Sequence, residues 1–126
     1  MYKLGTRSKH RLKGLHPDLM KVVERAIEIS TVDFTVLEGL RTPERQKTLM
    51  EAGASQTLNS RHITGHAVDL GAWIDDEVHW DWPLYHKIAA AMKEAAKQLD
   101  VAIVWGGDWR SFKDGPHFEL DRKAYP

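Results

Sequence analysis

Cysteine is absent from the 126-residue chain, so disulfides, thiolate metal ligands and cysteine nucleophiles are all excluded. Any metal site must therefore be built from histidine and carboxylate side chains. Long apolar runs are also missing: none exceeds five residues, the length of Val101–Trp105, whereas roughly 20 are needed to span a bilayer. The opening MYKLGTRSKHR lacks the apolar stretch of a secretory signal, which predicts synthesis in the cytoplasm.

An excess of charge of either sign is missing as well. Lys plus Arg and Asp plus Glu number 18 each, and this balance argues against a nucleic-acid partner. The positive charges are nevertheless unevenly placed, because five of them precede the first acid, Asp18, at Lys3, Arg7, Lys9, Arg11 and Lys13. We interpret residues 1–15 as a basic, solvated N-terminal arm, with anion steering as the alternative.

The hydrophobic patterning predicts one small α+β domain over residues 1–126. Apolar residues at helical spacing predict helices over about 17–30 and 82–99, and a third helix begins at Pro43 and ends near Gly53. Strands are predicted in 34–40, 67–74, 101–105 and 117–120, and an irregular loop in 52–65. We expect a mainly antiparallel sheet with about three helices on one face and a cleft on the other.

Two predicted strands carry polar side chains opposite their apolar face. Asp69 alternates with Val68 and Leu70, and His117 alternates with Phe118 in HFEL. If both strands belong to one sheet, His62 can join these two side chains from the preceding loop. Two imidazoles and one carboxylate suit a single zinc ion with a fourth position open, the pattern of catalytic zinc sites.

A helical zinc pair is the competing interpretation, because His62 and His66 are four residues apart. Gly65 and the β-branched Ile63 and Thr64 disfavour a helix here, and no Glu follows His62. We therefore reject that alternative.

Three further residues have the chemistry that a zinc hydrolase needs. Asp114 can serve as a base for water, or it is simply the turn residue of Lys-Asp-Gly-Pro. Arg41 can stabilise an oxyanion or bind a substrate carboxylate, or it forms a surface ion pair near Glu44. Asp108 can accept a hydrogen bond from a ligand imidazole, or it is a loop acid.

Two motifs in order, Ser60-x-His62-x-x-Gly65-x-Ala67-x-Asp69 and Asp114-x-x-His117, resemble those of the zinc D-alanyl-D-alanine carboxypeptidase family of peptidoglycan peptidases. The Trp105–Trp109 loop and the segments Leu4-Gly5, His16–Leu19 and Gly39–Thr42 are similar to small phage endolysins that act as L-alanyl-D-glutamate endopeptidases. The resemblance covers nearly the whole chain.

This resemblance implies one zinc ion held by His62, Asp69 and His117. It also implies Asp114 as general base and then proton donor, and Arg41 as the residue that stabilises the tetrahedral intermediate. Contacts to these residues or to substrate are expected from Asp108, His66, Ser60 and Trp109, and His66 can alternatively compete for the metal.

The resemblance further implies a peptidoglycan stem peptide as partner, a monomer, and synthesis in the host cytoplasm before release to the periplasm or cell wall. The alternatives are a D,D-carboxypeptidase or dipeptidase of the same family, a catalytically silent zinc-binding module as in the related hedgehog signalling domain, and a wall-binding or structural protein. The presence of both Asp114 and Arg41 disfavours the silent module.

Overall fold

The computed structural model describes residues 1–55 and 60–126, and the α+β class predicted from the sequence is confirmed. The α-helices in these ranges are α1 Thr6–Arg11, α2 Pro17–Ile29, α3 Pro43–Glu51 and α4 Trp82–Leu99. The strands are β1 Phe34–Glu38, β2 Ala67–Ile74, β3 Glu77–His79, β4 Ile103–Trp105 and β5 His117–Leu120. A 3-10 turn, Gly106–Asp108, follows β4. The predicted loop 52–65 lies partly outside the described residues, because it includes 56–59.

The strands form an antiparallel sheet in the order β1-β2-β5-β4, with β3 also paired to β2. The β2–β3 hairpin turns at Asp75 and Asp76, which both have positive φ, as a two-residue hairpin turn requires. In the β2–β5 ladder Asp69 lies directly opposite His117, and in the β1–β2 ladder it lies opposite Glu38. The register therefore brings three polar residues together at one place on the sheet.

Helices α2 and α4 cover the apolar face of the sheet. Proline in the first turn favours the start of each helix, and the buried residues recur at helical spacing. The contributing side chains of α2 are Leu19, Val22, Val23, Ala26 and Ile27, and those of α4 include Ile88, Met92 and Ala95. They pack with Val68, Leu70, Phe118 and Leu120 of the sheet into one core. None of the helices in the described residues is long and apolar enough to cross a membrane.

The N-terminal arm differs from the prediction, because residues 1–15 are not a solvated lead-in. Leu4, Leu12 and Leu15 belong to the core, and α1 lies between them. The hydroxyl of Ser8 lies 3.0 Å from that of Thr35 and accepts a hydrogen bond from the Val36 nitrogen at 2.9 Å. The apolar residues between the basic ones therefore anchor the arm to β1.

Helix α3 differs from the other helices, because none of its residues belongs to the hydrophobic core that the described residues form. Its mean composition is polar, and Gln46 is its only buried residue within the described part of the chain. Thr42 caps the helix, since its hydroxyl accepts a hydrogen bond from the Arg45 nitrogen at 3.1 Å. Helix α3 therefore borders the polar side of the sheet, where Leu49 lines the cleft described next.

Candidate metal centre and cleft

Three side chains that lie far apart in the sequence meet on the polar face of the sheet. His62, Asp69 and His117 each offer one ligand atom, and these atoms lie within 4.8 Å of one another. Asp69 Oδ1 is 3.2 Å from both His62 Nε2 and His117 Nδ1. The structure thus has the convergence expected from strand alternation, and the group can hold a metal ion.

Both imidazoles have their outer nitrogen occupied by an acceptor. His62 Nδ1 donates to the Gly39 carbonyl at 2.9 Å, and His117 Nε2 donates to Glu119 Oε1 at 2.9 Å. Because these acceptors fix which nitrogen carries the proton, His62 Nε2 and His117 Nδ1 are left to face Asp69. Two nitrogen lone pairs and one carboxylate match the three-ligand set of a metal site with an open position.

The electrostatics of this group depend on the carboxylates around His117. Burial alone would lower the pKa of His117, but hydrogen bonds to Asp69 and Glu119 outweigh it and raise the pKa to about 9. Burial would raise the pKa of Asp69 and of Glu119, yet the imidazole contacts hold both below their ordinary values. In the metal-free protein a proton therefore occupies the place that a cation would take.

Asp114 lies beside the metal group, and its pKa is shifted in the opposite direction to that of Asp69. Burial, and then the negative charge of Asp69, raise the pKa of Asp114. Its position depends on Gly106, whose carbonyl accepts a hydrogen bond from the Asp114 nitrogen at 3.1 Å. A Cβ on Gly106 would lie 2.4 Å from the Asp114 carbonyl oxygen and 3.1 Å from the His117 Cβ, so only glycine fits between them.

Arg41 is buried rather than superficial, with 8% of the residue exposed. Its guanidinium makes two hydrogen bonds of 2.8 Å to Glu38 and one of 2.7 Å to Gln46 Oε1. Arg41 Nη2 also lies 3.6 Å from Asp69 Oδ2. The alternative of a surface pair with Glu44 is therefore wrong: Arg41 is a fixed cation next to the metal group.

These residues line a cleft of about 760 Å³. Ser60 and Trp109 also line it. The Ser60 hydroxyl accepts a hydrogen bond from the His62 nitrogen at 3.2 Å, and the Trp109 ring lies 5.1 Å from that of His117.

Two candidates lie elsewhere. Asp108 is exposed and pairs with Lys93 at 2.8 Å, so its predicted contact to a ligand imidazole is wrong. His66 bonds the Thr64 hydroxyl at 2.7 Å and packs near the His16 ring, outside the metal group of the described residues, which does not support a competing ligand.

Sequence reasoning missed four supporting groups: Glu119, the Gly39 carbonyl, Glu38 and Gln46. Glu119 alone had a usable signal, because it is two residues from His117 on one strand and therefore on the same face. The others depend on tertiary contacts that no spacing reveals.

An antiparallel sheet that presents two histidines and an aspartate, with a carboxyl group of raised pKa beside them, has the arrangement used by single-metal hydrolases. The chain belongs to the phage L-alanyl-D-glutamate peptidase family, whose sequence model matches residues 1–125.

Individual relatives agree with this assignment. The chain is 33% identical to the L-alanyl-D-glutamate peptidase of Escherichia phage T5, over 98% of this chain and 93% of that protein. It is 35% identical to the peptidase of the same name from Listeria phage A118, over 78% of this chain but 34% of that protein.

Among solved structures, the L-Ala D-Glu endopeptidase ChiX of Serratia marcescens superposes with a TM-score of 0.92 at 48% identity, covering 96% of this chain and 91% of ChiX. The vancomycin resistance D,D-dipeptidase VanXYg superposes with a TM-score of 0.58 at 20% identity, over 84% of this chain and 50% of VanXYg. This second likeness concerns the fold alone.

Proposed function

We propose that this protein is a zinc-dependent endopeptidase that cleaves the L-alanyl-D-glutamate bond of peptidoglycan stem peptides, as a phage endolysin. The observation that carries the proposal is the His62–Asp69–His117 group with Asp114 beside it in one cleft. The names of the ChiX, T5 and A118 relatives support the choice of scissile bond. We place its action at the cell wall, after synthesis in the host cytoplasm, and expect a monomer.

One zinc ion fits the donor set, because His62 Nε2 and His117 Nδ1 face the ionised Asp69, and a bound cation would displace the proton that His117 carries in the metal-free protein. When bound, zinc supplies Lewis acidity toward water and a peptide carbonyl. The carbonyl of Gly39 and the carboxylate of Glu119 hold the two imidazoles in the required tautomers.

Asp114 performs both proton transfers in the proposed reaction. Its carboxylate accepts the proton of the attacking water and returns that proton to the nitrogen of the departing glutamate. A raised pKa suits both steps, since a carboxyl group that is too acidic would hold the proton too weakly to return it. The hydrogen bond from its backbone nitrogen to Gly106 keeps this residue beside His117.

Arg41 supplies the positive charge that stabilises the oxyanion on the alanine carbonyl. Glu38 and Gln46 hold its guanidinium in one orientation, so this charge needs no rearrangement during the reaction. Its contact with Asp69 at 3.6 Å places it next to the metal group.

The test combines zinc quantification with mass spectrometry of digested peptidoglycan. The wild-type protein should bind one zinc ion and release fragments with a new D-glutamate amino terminus; a new D-alanine terminus would instead indicate the D,D-peptidase activity. Asp114→Ala should retain zinc but lose hydrolysis, whereas His117→Ala should lose zinc itself. An active Asp114→Ala enzyme, or wall cleavage in the absence of zinc, contradicts the proposal.

A further inference from the structure

The cleft contains four basic side chains, at Arg41, Arg61, Lys113 and Arg122. Three of them are engaged within the protein. Arg41 is held by Glu38 and Gln46, as described above. Arg61 Nη2 donates to the carbonyl oxygens of Leu120 at 3.3 Å and Tyr125 at 2.6 Å. Arg122 Nε lies 3.5 Å from Glu119 Oε2.

Lys113 is the remaining cation of the cleft, and it forms no ion pair or hydrogen bond with any residue that the structure describes. Its side chain is exposed, and it immediately precedes Asp114. The preceding residue, Phe112, has a φ of 52°, which is uncommon for a bulky side chain. This turn places both Phe112 and Lys113 at the rim of the cleft.

An anionic substrate needs such a cation, because the other three basic side chains of the cleft are already engaged within the protein, and carboxylates also line it. Glu38, Asp69, Asp114 and Glu119 all contribute to its surface. A glutamate inside a peptide always keeps one carboxylate free, since only one of its two carboxyl groups forms the next amide bond. The leaving half of an alanyl-glutamate substrate therefore brings a further negative charge next to these carboxylates, and a cation without a partner among the described residues can offset it.

Given the proposed function, we propose that Lys113 binds the free carboxylate of this glutamate and thereby sets the preference for an acidic residue on the leaving side of the scissile bond. In the proposed reaction Asp114 returns a proton to the nitrogen of the substrate's glutamate. The free carboxylate of that glutamate therefore lies within one residue's length of Asp114. Lys113 is the neighbouring residue, and its flexible stem can cover that span. Lys113 acts on substrate selection and not on proton transfer.

The experiment compares two synthetic stem peptides on the zinc-loaded enzyme: one with D-glutamate after L-alanine, and one in which the free carboxylate is an amide. We expect the wild-type kcat/KM to favour the carboxylate peptide by about fivefold, the size of a partly exposed ion pair. Lys113→Met should abolish this preference by lowering kcat/KM for the carboxylate peptide only, and Lys113→Arg should retain it. Added salt should weaken the wild-type preference.

Lys21→Met is the matched control, because Lys21 is exposed on α2 and does not line the cleft. Lys21→Met should leave kcat/KM for both peptides unchanged. The assignment is overturned if Lys113→Met keeps the wild-type preference, or if the wild-type enzyme cleaves both peptides equally well. A wild-type enzyme that cleaves neither peptide contradicts the proposed function and the Lys113 subsite with it.

Discussion

Glu119 Oε1 accepts a hydrogen bond from His117 Nε2 at 2.9 Å, and this contact leaves Nδ1 as the nitrogen that faces Asp69. The two residues lie two positions apart on β5, so the strand itself fixes their relative placement. A metal ligand and the group that orients it therefore come from a single four-residue strand.

Removing Glu119 should weaken zinc binding. We expect Glu119→Ala to lower the affinity by about 10- to 100-fold, because the imidazole loses the partner that fixes its tautomer, and Glu119→Gln to lower it less. A titration against a competing chelator measures this change. Asp108→Ala is the control, since Asp108 pairs with Lys93 and should leave the affinity unchanged. Equal losses in Glu119→Ala and Asp108→Ala would show that the His117 contact does not tune the metal.

The metal-free protein should become less stable as the pH rises from 6.5 to 9. The pKa of His117 is raised to about 9, whereas a histidine in the unfolded chain has a pKa of about 6.5. A raised pKa stabilises the fold fully below the unfolded value, and this contribution is lost as the pH rises through about 9. Urea unfolding of chelator-treated protein at both pH values measures the change.

Zinc binding should reverse the dependence of stability on pH, because the metal displaces the proton on His117. The zinc-loaded protein should therefore gain more stability over the metal-free form at pH 9 than at pH 6.5. If the free energy of unfolding of the metal-free protein increases from pH 6.5 to pH 9, the arrangement of charges around His117 is contradicted.

Gly106→Ala should impair catalysis through the position of Asp114. The new Cβ would meet the Asp114 carbonyl oxygen at 2.4 Å, so the backbone that carries the base must move. We expect about a 100-fold loss in kcat/KM, typical of a small misplacement, and a loss of about 1–3 kcal/mol in unfolding free energy. Gly5→Ala is the control, because a Cβ on Gly5 would have no other atom within 4 Å. Wild-type activity in Gly106→Ala would show that the turn tolerates displacement.

Tyr85→Phe should leave stability unchanged or raise it by up to about 1 kcal/mol. The Tyr85 hydroxyl is buried and has no hydrogen-bond partner within the described ranges, so its removal relieves an unsatisfied polar group. Burial raises the pKa of Tyr85 to about 12, with a further contribution from the charge of Asp114. Thermal unfolding measures the effect.

Tyr125→Phe provides the comparison, because the Tyr125 hydroxyl donates to Asp18 Oδ2 at 2.7 Å. This change should cost about 1 kcal/mol, the usual net value of one hydrogen bond. If Tyr85→Phe loses more stability than Tyr125→Phe, or loses activity, then the Tyr85 hydroxyl interacts with the neighbouring Asp114.

The parts of the fold that follow from local patterns were predictable from the sequence. Alternation along β2 placed Asp69 opposite the core, and the helical spacing in α4 gave its bounds, 82–99. The same alternation brought Asp69 and His117 to one face, and this was the decisive step toward the metal group.

Features that depend on tertiary packing were not predictable in this way. The basic residues around α1 suggested an exposed arm. The burial of Leu4, Leu12 and Leu15 could not be predicted, because it depends on a core built from distant segments of the chain. Asp108 was the candidate partner for a ligand imidazole, but it pairs with Lys93, and the strand geometry instead places Glu119 against His117. Arg41 has its partners at Glu38 and Gln46 because the chain turns back on itself between β1 and α3.

The close fit of the first helix against the end of β1 ties the start of the chain to the catalytic apparatus. A Cβ on Gly39 would lie 2.3 Å from the Arg11 carbonyl oxygen, and the Gly39 carbonyl in turn orients His62. Shortening or exchanging this leading segment would thus disturb a ligand of the metal group as well as the hydrophobic interior. Protein engineers who wish to append a targeting peptide should extend the chain ahead of residue 4 and leave the segment behind it intact.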